Sequence, residues 1–147
     1  MSEVIPIGSD HAGFRLKQRL VAELRALGYE PLDLGTHSDE AADYPDYAHP
    51  VAARVERGES ARAVLLCGTG LGMSFTANRH RHVRAAVAWN PEVARLAREH
   101  NDANVLVLPA RFVSEDEGVA ILKAWLGARF AGGRHARRIS KIDQESA

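Results

Sequence analysis

The chain alternates short apolar runs with longer amphipathic stretches, and that rhythm leaves few folds open to it. Val4 to Gly8, Glu30 to Leu34, Ala63 to Cys67, Ala85 to Trp89 and Val105 to Leu108 read as strands. Between the first two, Leu16, Leu20, Val21, Leu24 and Leu27 share one face of a helix over Phe14 to Leu27, and Gly28 stops it. Gly35 to Asp46 is polar and reads as a loop, followed by a helix over Tyr47 to Arg57. Further helices are expected from about Met73 or Ser74, from Pro91 to about Glu99, and from the cap Ser114 to Ala128. Strands and helices in this alternation call for a parallel sheet covered on both faces. The expected fold class is α/β, with five strands in the order 2-1-3-4-5. Pro6 lacks the N–H that a central strand donates, so it marks a bulge or an edge. One domain over 1–147 is expected, with a basic tail at 131–147 beginning at the hinge Gly132-Gly133.

Charge excludes some partners. The 19 basic and 19 acidic residues balance, so nothing global points to nucleic acid or an anionic membrane. A single cysteine, Cys67, rules out an intrachain disulfide and suits a reducing compartment. Met1-Ser2-Glu3 lacks the basic and apolar regions of a signal peptide, and no apolar run is long enough to span a bilayer. A cytoplasmic protein is expected.

In open parallel sheets, ligands sit beyond the carboxyl ends of the strands, where the strand order reverses. Strands one and three flank that point in the expected order. The residues past them are Ser9-Asp10-His11 and Cys67-Gly68-Thr69-Gly70-Leu71-Gly72. One crevice thus gathers a carboxylate, an imidazole, a thiol and a glycine loop. The glycines let backbone approach a ligand closely, and a following helix start favours an anion. The loop is neither a Walker motif nor a dinucleotide fingerprint. On the residues alone it is either a tight turn or an anion cradle. Cys67 is either core packing or a thiol activated by the helix start. His100-Asn101-Asp102 is a helix terminus with an Asn cap or a polar cluster with a use. His37, His49, His80 and His82 read as solvated. His80-Arg81-His82 has no ligand framework beside it, so no metal is expected. Arg134 and Arg138 share a face at i and i+4, as a solvated basic end, a weak nucleic-acid arm or a fork for phosphate.

Several motifs in order narrow these choices. They are Gly-Ser-Asp-His-Ala-Gly-Phe (8–14), Asp-Tyr-Pro (43–45), Cys-Gly-Thr-Gly-Leu-Gly-Met-Ser (67–74), Ala-Asn-Arg (77–79), Arg-Glu-His-Asn-Asp-Ala-Asn-Val-Leu (98–106) and Gly-Gly-Arg-His-Ala-Arg-Arg (132–138). Across almost its whole length the chain resembles the type B ribose-5-phosphate isomerases, a family that includes the galactose-6-phosphate isomerase subunits. The resemblance implies a Rossmann-like αβα sandwich and aldose–ketose isomerisation of a sugar phosphate through an enediolate, without metal or cofactor. It implies a homodimer or tetramer. Cys67 then matches the base and His100 the ring-opening group, with Thr69 and Asp10 also catalytic. Asp10, His11, Tyr44, Gly68, Thr69, Gly70, Leu71, Gly72, Asn101, Arg111, Arg134, His135 and Arg138 match substrate-binding positions. Members that lack the cysteine use a glutamate just after the glycine loop; here Met73 and Ser74 follow it, as in the cysteine subtype. A tetrose or hexose phosphate in place of the pentose, and a non-catalytic sugar-phosphate binder, are the alternatives.

Topology adds a further expectation. Cys67 ends a strand, whereas His100 lies in the connection entering one, at the opposite end of a parallel sheet. Four or five strand residues span roughly 15 Å, too far for an imidazole to reach a thiol in the same chain. A site shared between two subunits is therefore expected.

Overall fold

The computed structural model describes residues 2–144; the tail residues 145–147 lie outside the described residues. Five parallel strands form one sheet: β1 (Val4–Ser9), β2 (Glu30–Asp33), β3 (Ala63–Cys67), β4 (Ala85–Val87) and β5 (Val105–Pro109). Helices α1 (Phe14–Ala26), α4 (Pro91–Asn101) and α5 (Glu115–Gly127) contribute to the core on one face, and α2 (Tyr44–Glu56) and α3 (Leu71–Ala77) to that on the other. A short α6 (Arg134–Ile139) follows. This is the expected α/β sandwich.

The strand order is β2-β1-β3-β5-β4, not 2-1-3-4-5. Burial explains the exchange. All of β5 is buried and it takes a central place, whereas β4 has three half-buried residues and takes the edge. Pro6 is neither at an edge nor in a bulge. It pairs with Leu32 on one side and precedes the first β1–β3 pair, Ile7 with Val64, so its missing N–H falls where β3 has not begun to pair.

Strand parity sorts the core. Val64 and Leu66 pack with α1, α4 and α5, and Ala63, Leu65 and Cys67 with α2 and α3. Each fully buried leucine here contributes about 2 kcal/mol. Trp125 is wholly buried, and its indole donates to the Ala103 carbonyl at 3.2 Å.

Two helix starts differ from expectation. The second helix begins at Tyr44 rather than Tyr47, because Pro45 occupies its first turn, where a missing N–H costs nothing. The third begins at Leu71, directly after Gly70 in the left-handed region at φ +80°. Ser114 and Glu117 form the reciprocal cap of α5. Among the described residues, no helix is long and apolar enough to cross a membrane.

Candidate active site

A cleft of about 310 Å³ opens beyond the carboxyl ends of β1 and β3. Asp10, His11, Tyr44, Cys67, Gly68, Thr69, Gly72 and Arg111 line it, all expected from the sequence. Ala12 and Phe75 line it too and were not expected. Phe75 is 64% exposed and Leu71 51%, so α3 turns apolar side chains to solvent at i and i+4. That spacing was the signal available for Phe75.

Each polar group is set by local chemistry. Asp10 is buried, and one carboxylate oxygen accepts from the Ala12 and Gly13 amides at 3.0 and 3.2 Å. The second oxygen has no partner among the described residues. His11 Nδ1 accepts from the Ala42 amide at 3.1 Å. A backbone N–H can only donate, so Nδ1 carries no proton and the neutral ring is protonated at Nε2. Thr69 Oγ1 accepts from the Leu71 amide at 3.1 Å, leaving its own proton free to donate. Cys67 is 3% exposed at the cleft floor. The Arg111 amide donates to the Gly68 carbonyl at 3.0 Å, and its side chain lies along Gly68, where a Cβ would meet Nε at 3.0 Å. A Cβ on Gly72 would likewise run into the Tyr44 ring. These two glycines are where side chain and loop must approach closely.

The remaining expected residues lie elsewhere. His100 and Asn101 end α4, on the other face of the sheet and at its amino edge, since β5 starts at Val105 opposite Ala63. Asn101 borders a second cleft of about 390 Å³, with Asn78 and Arg84. The His100 ring stacks on His135 of α6, centroids 4.4 Å apart and planes 13° from parallel. Gly132 and Gly133, at φ +71° and +59°, turn the chain into α6. Arg134 and Arg138 are exposed, with no carboxylate partner among the described residues. The structure thus holds two groups, one around Cys67 and one around His100, and does not join them within a chain.

Burial, then the charges of His100, Arg134 and Arg138, hold the His135 pKa below the ordinary histidine value. The unfolded chain therefore takes up this proton first. The contribution to stability is whole above the unfolded value of about 6.5 and is lost as pH falls from there through the folded value. Between about pH 7.5 and pH 5, the wild type should lose more in thermal midpoint than His135→Asn. Equal losses would refute the assignment.

Not all the outlying histidines are simply solvated. His80 Nδ1 contacts Glu56 at 2.9 Å, and His80 Nε2 faces His49 Nδ1 at 2.7 Å. His80 holds Glu56 below the usual carboxylate range. Among the described residues, no group of three or more His, Cys, Asp or Glu is arranged to hold a metal ion.

The Ribose/Galactose Isomerase family matches residues 5–142. Ribose-5-phosphate isomerase B of Escherichia coli K12 is 46% identical over 138 residues, which cover 94% of this chain and 93% of that protein. A ribose 5-phosphate isomerase structure from Thermotoga maritima aligns with TM-score 0.94 at 49% identity, covering 97% of this chain and 99% of that one. The Mycoplasma genitalium enzyme with bound ribulose-5-phosphate aligns with TM-score 0.93 at 42% identity, covering 97% and 95%. The cleft, the sheet that carries it and these likenesses together make the chain a member of the ribose/galactose isomerase family.

Proposed function

We propose that the chain interconverts ribose 5-phosphate and ribulose 5-phosphate. The observation that carries this is one cleft holding a thiol, a carboxylate with a free oxygen, a free hydroxyl donor and the Arg111 guanidinium, which has no carboxylate partner among the described residues. Relatives named for that reaction support the choice of sugar.

The reaction needs a base beside a weakly acidic C–H, donors for the oxyanion, and acid–base help to open the ring. The Cys67 thiolate takes the C2 proton, and the electron pair of that bond makes the enediolate. The same thiol returns the proton to C1, while the O2 hydroxyl proton passes to O1. Thr69 and the amides of the glycine loop stabilise the charge developing on oxygen. The free oxygen of Asp10 orients a sugar hydroxyl. His100, whose imidazole can both accept and donate a proton, opens the ring.

For His100 to act at Cys67 it must come from a second copy of the chain, since the two lie on opposite faces and ends of one sheet. A two-fold pairing that sets the amino edge of one sheet against the carboxyl edge of the other completes two sites at once. In that arrangement Asn101, Arg134, His135 and Arg138 arrive with His100, and the arginines take the phosphate.

A panel of aldose and ketose phosphates, assayed with EDTA present, tests the reading. Turnover of pentose phosphate is expected. A preference for a tetrose or hexose phosphate would change the substrate, and no turnover would leave a binder. Replacing both Arg134 and Arg138 with Ala should raise KM for the phosphorylated sugar at least about tenfold, from the loss of charge-assisted hydrogen bonds. Equal use of a non-phosphorylated sugar by the wild type would overturn the phosphate assignment.

A further inference from the structure

We propose that Lys17 and Asp33, both outside the cleft, are positioning residues that hold His11 and Tyr44 in it; the inference rests on reading that cleft as the sugar-phosphate site. Lys17 has no solvent exposure, unusual for a lysine, and its ammonium donates to both Asp33 oxygens at 2.7 Å. The Phe14 ring lies 5.5 Å from the ammonium nitrogen. Such a pair is a poor stabiliser, because burying the ammonium offsets much of the attraction, and apolar replacements are often neutral or better. Its use is directional. With both oxygens held by Lys17, Asp33 Oδ1 is fixed where it accepts from the Gly35 amide at 2.9 Å.

Gly35 is the root of the segment that returns to the site. Its carbonyl accepts from the Ser9 amide at 2.7 Å, and the Thr36 amide donates to the Ser9 carbonyl at 2.8 Å. Ser9 is the residue before Asp10. At its far end the same segment brings the Ala42 amide to His11 Nδ1 and leads through Asp43 into Tyr44. Asp33 thus anchors the root of this chain of contacts, at Gly35, and the Ala42 amide closes its far end on His11. Through Ser9 it sets where Asp10 and His11 leave β1, and through Gly35 it sets the segment that fixes the His11 tautomer. Loss of the pair removes the acceptor of the Gly35 amide and leaves the root of the segment held by Ser9 alone, and the shift this allows reaches Ala42, whose amide keeps the His11 proton on Nε2.

The test is a charge-balanced double variant, Lys17→Met/Asp33→Ala, checked for folding by circular dichroism. Nitrogen-15 NMR of histidine-labelled protein reads the His11 tautomer directly. The wild type should show Nδ1 as acceptor with the proton on Nε2, and the variant a mixture of tautomers. KM should rise about tenfold, as for one lost hydrogen bond to a charged ligand, with kcat within about twofold. A folded variant that keeps the wild-type His11 signature, or that loses it with KM unchanged, overturns the proposal. If the double variant does not fold, Lys17→Met serves with the same two outcomes, because Asp33 is 32% exposed and can turn to water. If the wild type turns over no sugar phosphate, the functional reading fails, and the NMR signature alone decides the role of Lys17 and Asp33.

Discussion

Cys67→Ser should fold, bind sugar phosphate with near wild-type KM, and lose about 10³-fold in kcat, the usual contribution of a positioned base. Serine fills nearly the same space at this buried strand end, so β3 keeps its pairing with β5 from Ala63 to Cys67. The groups assigned to binding are untouched, since Thr69, Asp10 and Arg111 are held by backbone contacts that do not pass through the sulfur. What changes is basicity at one atom, because a hydroxyl stays protonated where a thiol ionises. Proton transfer therefore stops while binding continues. In deuterated water the wild type should place solvent deuterium on the substrate carbon, and the variant almost none. Near wild-type turnover or exchange in Cys67→Ser would remove the thiol from the mechanism.

Mixing two inactive variants should restore activity. Cys67→Ala keeps a whole His100 group, and His100→Ala keeps a whole Cys67 cleft. In the proposed two-fold pairing, random refolding would make half of the dimers mixed, each with one intact site of two, and give roughly a quarter of wild-type activity. Parity puts Cys67 on the face of α2 and α3, and His100 ends α4 on the other face, at the sheet edge where β5 begins. No rotamer of an imidazole crosses a sheet. Mixtures shown to contain mixed dimers, yet without activity, would place both groups in one chain and refute the reading.

The sheet and its ligand-binding edge were legible because their signals are local. Val105 to Leu108 is apolar throughout, and the glycines after Cys67 mark a turn or an anion cradle at a strand end. The exchange of β4 and β5 was not local. Alternation of strands and helices says that strands are parallel but not which are neighbours, and only the weaker apolar character of Ala85-Ala86-Val87 hinted at an edge. Tyr44 was expected to bind substrate but was placed in a loop, because Pro45 read as a loop residue rather than a helix start. The pairing of His80 with Glu56 joins residues 24 apart in sequence, which no periodicity reveals. The separation of the Cys67 and His100 groups was legible, since it follows from strand direction alone.

The shortness of α6 has a thermodynamic consequence. A helix of six residues cannot hold its own shape in water. It persists through its docking on α4, where His135 lies on His100 and the Ala131 amide donates to the Glu99 carbonyl at 2.9 Å. Its opening is therefore a local event, with a free energy well below that of the whole fold. Its amides should exchange with solvent early, ahead of those in β3 and β5. An anion bridging Arg134 and Arg138, as proposed, would bind the closed form and slow that exchange by a factor of one plus the ratio of free anion concentration to Kd. Protection of α6 amides on adding the anion would then gauge its occupancy, readable without any turnover.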